Sequence, residues 1–286
     1  MTTFSRAGLV VKPDDDSVAD TLSEVIRRLD ALGIEVVAGD STASLVGDRE
    51  TVGIDALGSS VDVAIVIGGD GTMLNTARAL VDYKVPIIGV NRGRLGFLVD
   101  VSPDDGLDSL TAILQGESYA EQRCMLSAHI LRDGVRIGGS TALNDVVLRV
   151  TDVLRLMEFD ILIDGQRVTR QRADGLIVAT PSGSTAYSLS NGGPIVAPTV
   201  NGFVLQPICP HMLSSRPLVV EGSRRIETHL IDEDVKNAQL VCDGQVYMDV
   251  TVGDVVVVER HSQQLTMLHP ADYDFHRLLR EKLSWV

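Results

Sequence analysis

The chain has 286 residues, 44% apolar and 22% charged, a make-up that argues for a folded globular protein rather than a disordered one and suggests about two domains of roughly 100 to 150 residues. Asp and Glu outnumber Lys and Arg by 39 to 25, a formal charge of −14, which argues against nucleic acid or anionic lipid as partners and leaves any anionic ligand to be captured by local groups. No apolar run approaches the ~20 residues that span a bilayer, and Met1-Thr2-Thr3-Phe4-Ser5-Arg6 lacks the order of a signal peptide, so the expected location is the cytoplasm.

From Leu9 to about Ile88 the pattern alternates short apolar strands with amphipathic helices, the grammar of a parallel α/β sheet. Residues 7–11 are predicted as the first strand. Val18, Leu22, Val25, Ile26 and Leu29 recur at helical spacing, which predicts a surface helix over 17–32 ended by Gly33. A strand is predicted over 34–37, whereas 39–60 gives no strong period and reads as a connection. A strand over 61–67, a helix over 73–81 and a strand over 85–90 then form one unit. Leu107, Leu110 and Leu114 mark a further helix closed by Gly116.

Beyond it, β-rich segments are punctuated by Asp133-Gly134, Asp164-Gly165 and Asp243-Gly244, each a hairpin signal. Phe159, Ile161 and Ile163 lie on one side of a strand, and 255–258 reads as a buried strand. Residues 272–283 return to a charged helix with Leu278, Leu279 and Leu283 on one face. The expected architecture is therefore an α/β amino-terminal domain with a parallel sheet over 1–117, a mainly antiparallel β-rich second domain over 118–270, and a carboxy-terminal helix over 271–286 returning to the first domain. Cys124, Cys209 and Cys242 are far apart, with neither a Cys-x-x-Cys pair nor a zinc-spaced His, and are read as reduced core thiols.

The first candidate site is Gly68-Gly69-Asp70-Gly71, between a buried strand and a helix. Three missing Cβ atoms would let a diphosphate approach backbone N–H groups at a helix start, and Thr72 is placed to cap that helix. A carboxylate there would repel phosphate unless a magnesium ion or a hydroxyl stood between them. Asp70 could orient a sugar hydroxyl and accept its proton during phosphoryl transfer. Taken alone, the four residues fit an ordinary exposed turn equally well. Neither Gly-x-x-x-x-Gly-Lys-Ser/Thr nor Gly-x-Gly-x-x-Gly occurs.

The second is the run Asp174 to Pro194, which carries Thr180-Pro181-Ser182-Gly183-Ser184-Thr185-Ala186-Tyr187-Ser188-Leu189-Ser190. Its hydroxyls can bind sugar and amide groups, and Tyr187 is available for stacking. This run resembles bacterial NAD kinases when taken with Gly68 to Thr72, Asn91-Arg92-Gly93-Arg94-Leu95-Gly96-Phe97-Leu98, and Pro210-His211 ahead of Leu213-Ser214-Ser215-Arg216-Pro217. Cys242-Asp243-Gly244-Gln245 and His269-Pro270-x-x-Tyr273 also fit.

The resemblance implies an ATP-dependent kinase that phosphorylates the 2′-hydroxyl of the adenosine ribose of NAD to give NADP. It also implies a divalent cation such as Mg2+, NAD bound in a cleft between two domains, and a homo-oligomer, dimer or tetramer. Asp70 then matches the proton acceptor, and Gly71 lies in the diphosphate-contacting turn. Asn144, Asp145, Arg172, Asp174 and the run Thr185, Ala186, Tyr187, Ser188, Leu189 and Ser190 match dinucleotide contacts. Arg155 and Gln245 fall at ligand-side positions, although a solvated strand charge and a plain turn residue describe them as well. His211 fits a structural role equally. Asp145 departs from the family's usual Glu by one methylene. A lipid kinase sharing the Gly-Gly-Asp-Gly turn and a non-catalytic dinucleotide sensor are the competing readings; the Thr180 to Ser190 run argues against the first, and Asp70 against the second.

Overall fold

The computed structural model describes residues 3–12, 18–91, 96–103, 107–151, 156–231 and 237–285. The chain forms two compact units, Met1–Arg123 with Gln263–Val286, and Cys124–Ser262.

In unit 1 the elements run β1 (Arg6–Val11), α1 (Ala19–Leu32), β2 (Glu35–Gly39), β3 (Glu50–Val52), α2 (Ile54–Leu57), β4 (Val63–Ile67), α3 (Asp70–Leu80), β5 (Ile87–Val90) and α4 (Leu107–Leu114). The strands pair in parallel in the order β5-β4-β1-β2-β3. Because β4 is apolar at every position and buried on both faces, it belongs in the middle of such a sheet. Helix α1 buries Leu22, Val25 and Leu29 and ends at Gly33, which takes the left-handed φ of 71° its position demands.

Two differences from the sequence expectations have clear causes. The stretch after β2 holds a 3-10 turn over Asp40–Leu45, the short edge strand β3 and the single turn α2. Order there comes from a buried polar residue: Thr42 Oγ1 accepts the Val11 N–H and donates to the Leu9 carbonyl, both at 3.2 Å. Helix α3 begins at Asp70, three residues before its apolar period starts. Gly69 is its N-cap with no side-chain cap, so Thr72 lies inside the first turn and does not cap it.

The chain leaves unit 1 within β6 (Ser118–Arg132) and returns within β17 (Val255–Pro270), whose Met267 pairs in parallel with Ile87 of β5. Helix α6 (Phe275–Leu283) closes unit 1. Asp274 caps it by accepting the His276 N–H at 2.8 Å, and Leu278 and Leu279 are buried.

Unit 2 contains β7 (Val135–Ala142), β8 (Asp145–Val150), β9 (Met157–Ile163), β10 (Gln166–Ala173), β11 (Gly175–Ala179), α5 (Tyr187–Ser190), β12 (Gly202–Ile208), β13 (Leu218–Glu221), β14 (Ile226–Leu230), β15 (Ala238–Cys242) and β16 (Val246–Val250). One antiparallel sheet has the order β13-β12-β11-β8-β15-β16; in the other, β10-β9-β14 continue to β17, with β6 and β7 beside it. Phe159, Ile161 and Leu126 from one sheet pack with Val146, Leu148, Leu176 and Phe203 from the other. The alternation in β8 then turns Val147 to the opposite face, beside Ile177 and Val241.

All three Asp-Gly pairs have positive φ at both residues, 51° and 78°, 50° and 75°, and 51° and 66°, the backbone of the hairpin turns that match strand twist. The core-thiol expectation holds for Cys242 and in part for Cys124, which packs against the same core, and fails for Cys209. Cys124 is half-buried, and Cys209 is exposed at a left-handed φ of 45° that places it in a turn. No helix among the described residues is long and apolar enough to cross a membrane.

Candidate functional site

In unit 1 the Gly-Gly-Asp-Gly turn joins β4 to α3. The Gly68 N–H donates to the Val90 carbonyl at 3.0 Å, and a Cβ on Gly68 would stand 2.8 Å from Thr72 Oγ1. A larger residue would therefore push the first helical turn away. At Gly69 a Cβ would meet nothing within 4 Å, so that position opens outward.

Asp70 is the first residue of α3, where the positive end of the helix favours a carboxylate. Its Oδ2 accepts the Phe97 N–H at 3.3 Å and its Oδ1 the Leu98 N–H at 3.2 Å. A carboxylate offers about four acceptor sites, so these two amides orient the group and leave it able to accept a further proton donor. The side chain is half-buried and Gly71 beside it is exposed. The negative charge is thus held by backbone amides before any cation or hydroxyl arrives.

Unit 2 carries a cavity of about 290 Å3 over the face of β8, β15 and β16 that is turned away from the main core. Asn144 and Asp145 form one wall, and Ala186 and Tyr187 another. The Thr180 hydroxyl donates to the Leu143 carbonyl at 2.6 Å and accepts the Gly183 N–H at 3.1 Å, while the Thr180 N–H donates to the Asn144 carbonyl at 2.9 Å. Ser184 Oγ donates to the Pro181 carbonyl at 2.6 Å and accepts the Val196 N–H at 2.9 Å. These two hydroxyls brace the loop from inside and are not offered to a ligand.

Asn144 Oδ1 is buried with no hydrogen-bond partner among the described residues, a costly arrangement for a polar atom unless a ligand or water supplies a donor. Asp145 is 5% exposed. Burial, with the nearby negative charge of Asp243, pushes its carboxyl up to about 7. Near neutrality it can therefore donate as well as accept.

The same cavity is lined by residues that were not singled out as candidates: Arg149, Asp243, Gly244 and Tyr247. Counting in twos from Asp145 puts Val147 and Arg149 on its face, and Val241 pairs with Val147 and Tyr247. That period was the available signal for Arg149. The cross-strand partners depend on register, which a single strand does not reveal.

Other expected residues lie elsewhere in unit 2. Arg172 is exposed on β10, and its carbonyl accepts the His211 N–H at 2.9 Å. Asp174 links β10 to β11, its N–H donating to the Ile208 carbonyl at 3.0 Å. Thr185 Oγ1 donates to the Ser182 carbonyl at 3.0 Å. Ser188 is fully buried in α5, beside the half-buried Leu189 and the exposed Ser190. Gln245 sits in the β15–β16 turn, its N–H donating to the Cys242 carbonyl at 3.0 Å. None of these lines the cavity, and Arg155 lies outside the described residues.

Comparison with known proteins identifies the family. Residues 7–118 match the family model described as ATP-NAD kinase N-terminal domain, and residues 143–269 match ATP-NAD kinase C-terminal domain. An NAD kinase of Thiobacillus denitrificans is 45% identical over 99% of this chain and 97% of its own length, and one of Cellvibrio japonicus is 42% identical over 100% and 97%. Among solved structures, yeast NADH kinase complexed with NADH superposes with a TM-score of 0.88 at 27% identity, covering 98% of this chain and 88% of that one. An Archaeoglobus fulgidus NAD kinase in complex with ATP gives 0.77 at 28% identity, covering 98% and 99%. With relatives this similar along its whole length, the chain belongs to the NAD kinase family.

Proposed function

We propose that the chain transfers the γ-phosphoryl group of ATP to the 2′-hydroxyl of the adenosine ribose of NAD, giving NADP and ADP. The observation that carries this reading is the Asp70 carboxylate at the start of α3, held by the Phe97 and Leu98 amides with acceptor capacity to spare. In the transfer the ribose O–H breaks and its proton passes to Asp70, the oxygen bonds to the γ-phosphorus, and the bond to the β-phosphate bridge breaks.

The unit 2 cavity is the proposed dinucleotide site. Asn144 Oδ1 would accept from an amino or hydroxyl group, Asp145 would hold a ribose or amide, and Tyr187 would stack. Gly71, Arg155, Arg172, Asp174, Gln245 and the Thr185 to Ser190 run are proposed contacts by family position. A magnesium ion bound on the phosphates of ATP would neutralise their charge. The cytoplasm and a homo-oligomeric assembly complete the proposal.

The test is purified protein with NAD, ATP and magnesium. NADP should form, and Asp70→Asn should cut turnover by about a hundredfold or more while NAD affinity stays within about threefold. No NADP despite NAD binding would identify a sensor. Phosphorylation of lipid in vesicles instead of NAD would identify a lipid kinase.

A further inference from the structure

Unit 1 contains a buried polar cluster with no part in the chemistry above. His269, in β17, is 1% exposed, and Glu121 and Arg123, in β6, are 6% and 3% exposed. His269 Nδ1 lies 2.8 Å from Asp100 Oδ2, and its Nε2 is 3.5 Å from Glu121 Oε2. The imidazole stacks on Tyr273 at 4.0 Å and 17°. Glu121 and Arg123 form a close ion pair, and Arg123 Nη2 donates to the Tyr273 hydroxyl at 3.2 Å. Burial disfavours a charged His269, but its bond to Asp100 and the Glu121 carboxylate close to Nε2 outweigh that and raise its pKa above the ordinary value. A histidine so enclosed, with stacking on one face and carboxylates at both nitrogens, is held in one orientation.

Asp100 stands two residues after Leu98, whose amide holds Asp70. The segment between Gly96 and Val101 lies against β5. The Val101 N–H donates to the Gly89 carbonyl at 3.1 Å, the Asn91 N–H to the Val101 carbonyl at 2.8 Å, and the Gly96 N–H to the Val99 carbonyl at 3.0 Å. A Cβ on Gly89 would fall 2.6 Å from the Leu98 carbonyl oxygen and 2.9 Å from Val99 Cα. The two amides reach Asp70 at 3.3 and 3.2 Å, the long end of the hydrogen-bond range, so a shift of a few tenths of an ångström in this segment would release the carboxylate.

We propose that His269, acting through Asp100, is a positioning residue for Asp70: it fixes the 96–101 segment so that the Phe97 and Leu98 amides hold the carboxylate in its working orientation. The activity part of this rests on Asp70 being the proton acceptor. A merely structural cluster would lose stability when cut. The positioning role makes a narrower demand, for a donor at the Nδ1 position and not at Nε2.

The experiment compares His269→Asn, whose amide nitrogen can take the Nδ1 position, with His269→Gln, whose amide reaches only the Nε2 position. Asp100→Ala is a second cut from the other side. His269→Gln and Asp100→Ala should each lower kcat by about tenfold or more with KM for NAD and ATP within about twofold, and the double variant should lose no more than either alone. His269→Asn should retain kcat within about threefold. Amide hydrogen exchange at Phe97 and Leu98 should quicken by about tenfold in the two damaging variants while the amides of β4 keep their rates.

Equal losses in the Asn and Gln variants, tracking their melting temperatures, would overturn the proposal. So would unaltered exchange at Phe97 and Leu98. Faster exchange with unchanged kcat would uphold the mechanical coupling and remove Asp70 as proton acceptor, an outcome that Asp70→Asn would report independently.

Discussion

Asp145 and Asp243 grip one another through the backbone: the Asp243 N–H donates to the Asp145 carbonyl at 2.9 Å, and Asp243 Oδ1 accepts the Asp145 N–H at 3.2 Å. The Asp243 carboxylate also accepts from the Leu143 and Asn144 amides, at 3.0 and 2.8 Å. One aspartate is therefore consumed in shaping the loop, and the other is buried beside it with a carboxyl pushed up to about 7.

Protein stability follows from that shift. A carboxyl that titrates near 7 when folded and near 3.8 when unfolded binds more protons in the folded state between those values. Stability then falls as pH rises from about 4 to 7 and levels off above. Asp145→Asn removes this term. It should make the ligand-free protein more stable than the parent at pH 8, by on the order of 2 to 4 kcal/mol before relaxation is allowed for, with the gap closing at pH 4. Urea unfolding at both pH values measures it, and a gap that does not change with pH would contradict the assignment.

The cavity wall makes a second prediction. Tyr187 is 43% exposed, so truncation removes little packing, and its ring faces the space that the dinucleotide is proposed to fill. Tyr187→Ala and Arg149→Ala should each raise KM for NAD by about five- to tenfold with kcat nearly unchanged, the mark of binding lost equally in ground and transition states. Steady-state kinetics with NAD varied at saturating ATP decides the matter. A loss confined to kcat would move either residue from binding to chemistry.

What the sequence discloses about this site divides by physical cause. The turn at Gly68 to Gly71 and the hairpins at the Asp-Gly pairs are legible because they rest on local backbone demands, which residue types record directly. No strand was predicted over Asp145–Val150, and the face shared by Asp145 and Arg149 was missed because Val146, Val147 and Leu148 form an unbroken apolar run that masks the period of two. Tyr247 was hidden because its place depends on β16 pairing with β15 in one register, a non-local fact. The amide donors at Phe97 and Leu98 are hidden for a different reason: backbone groups carry no identity in the sequence. Thr180 and Ser184 look like ligand groups by composition, and only packing shows that their hydroxyls are spent inside the loop.

Gly96 offers a steric test of Asp70. An alanine there adds a single methyl group to the chain. The Cβ, however, would collide with Asp70 Oδ1 and stand 2.5 Å from Val99 Cγ2. Gly96→Ala should displace the carboxylate and lower kcat by about a hundredfold, the usual consequence of misplacing a reacting group by about 1 Å. If the variant keeps full turnover, then Asp70 does not need its present orientation.

Asp254 offers the opposite pH dependence to Asp145. It is 1% exposed, receives Arg132 Nε and Nη2 at 2.8 Å each, and accepts the Thr251 N–H at 2.8 Å. The Arg132 guanidinium, more than the Thr251 donors, holds its carboxyl below the ordinary value despite burial. Its stabilising contribution is therefore complete above about pH 4 and lost as pH falls through the depressed folded value. Asp254→Asn keeps the shape but replaces one acceptor oxygen by a donor that faces an arginine. At pH 7 the cost should be about 2 kcal/mol, moderated because Arg132 is itself half-exposed. Urea unfolding of parent and variant at pH 7 and pH 3 should show the difference shrinking at the lower value, since protonation of the parent then removes the same charge that the substitution removes.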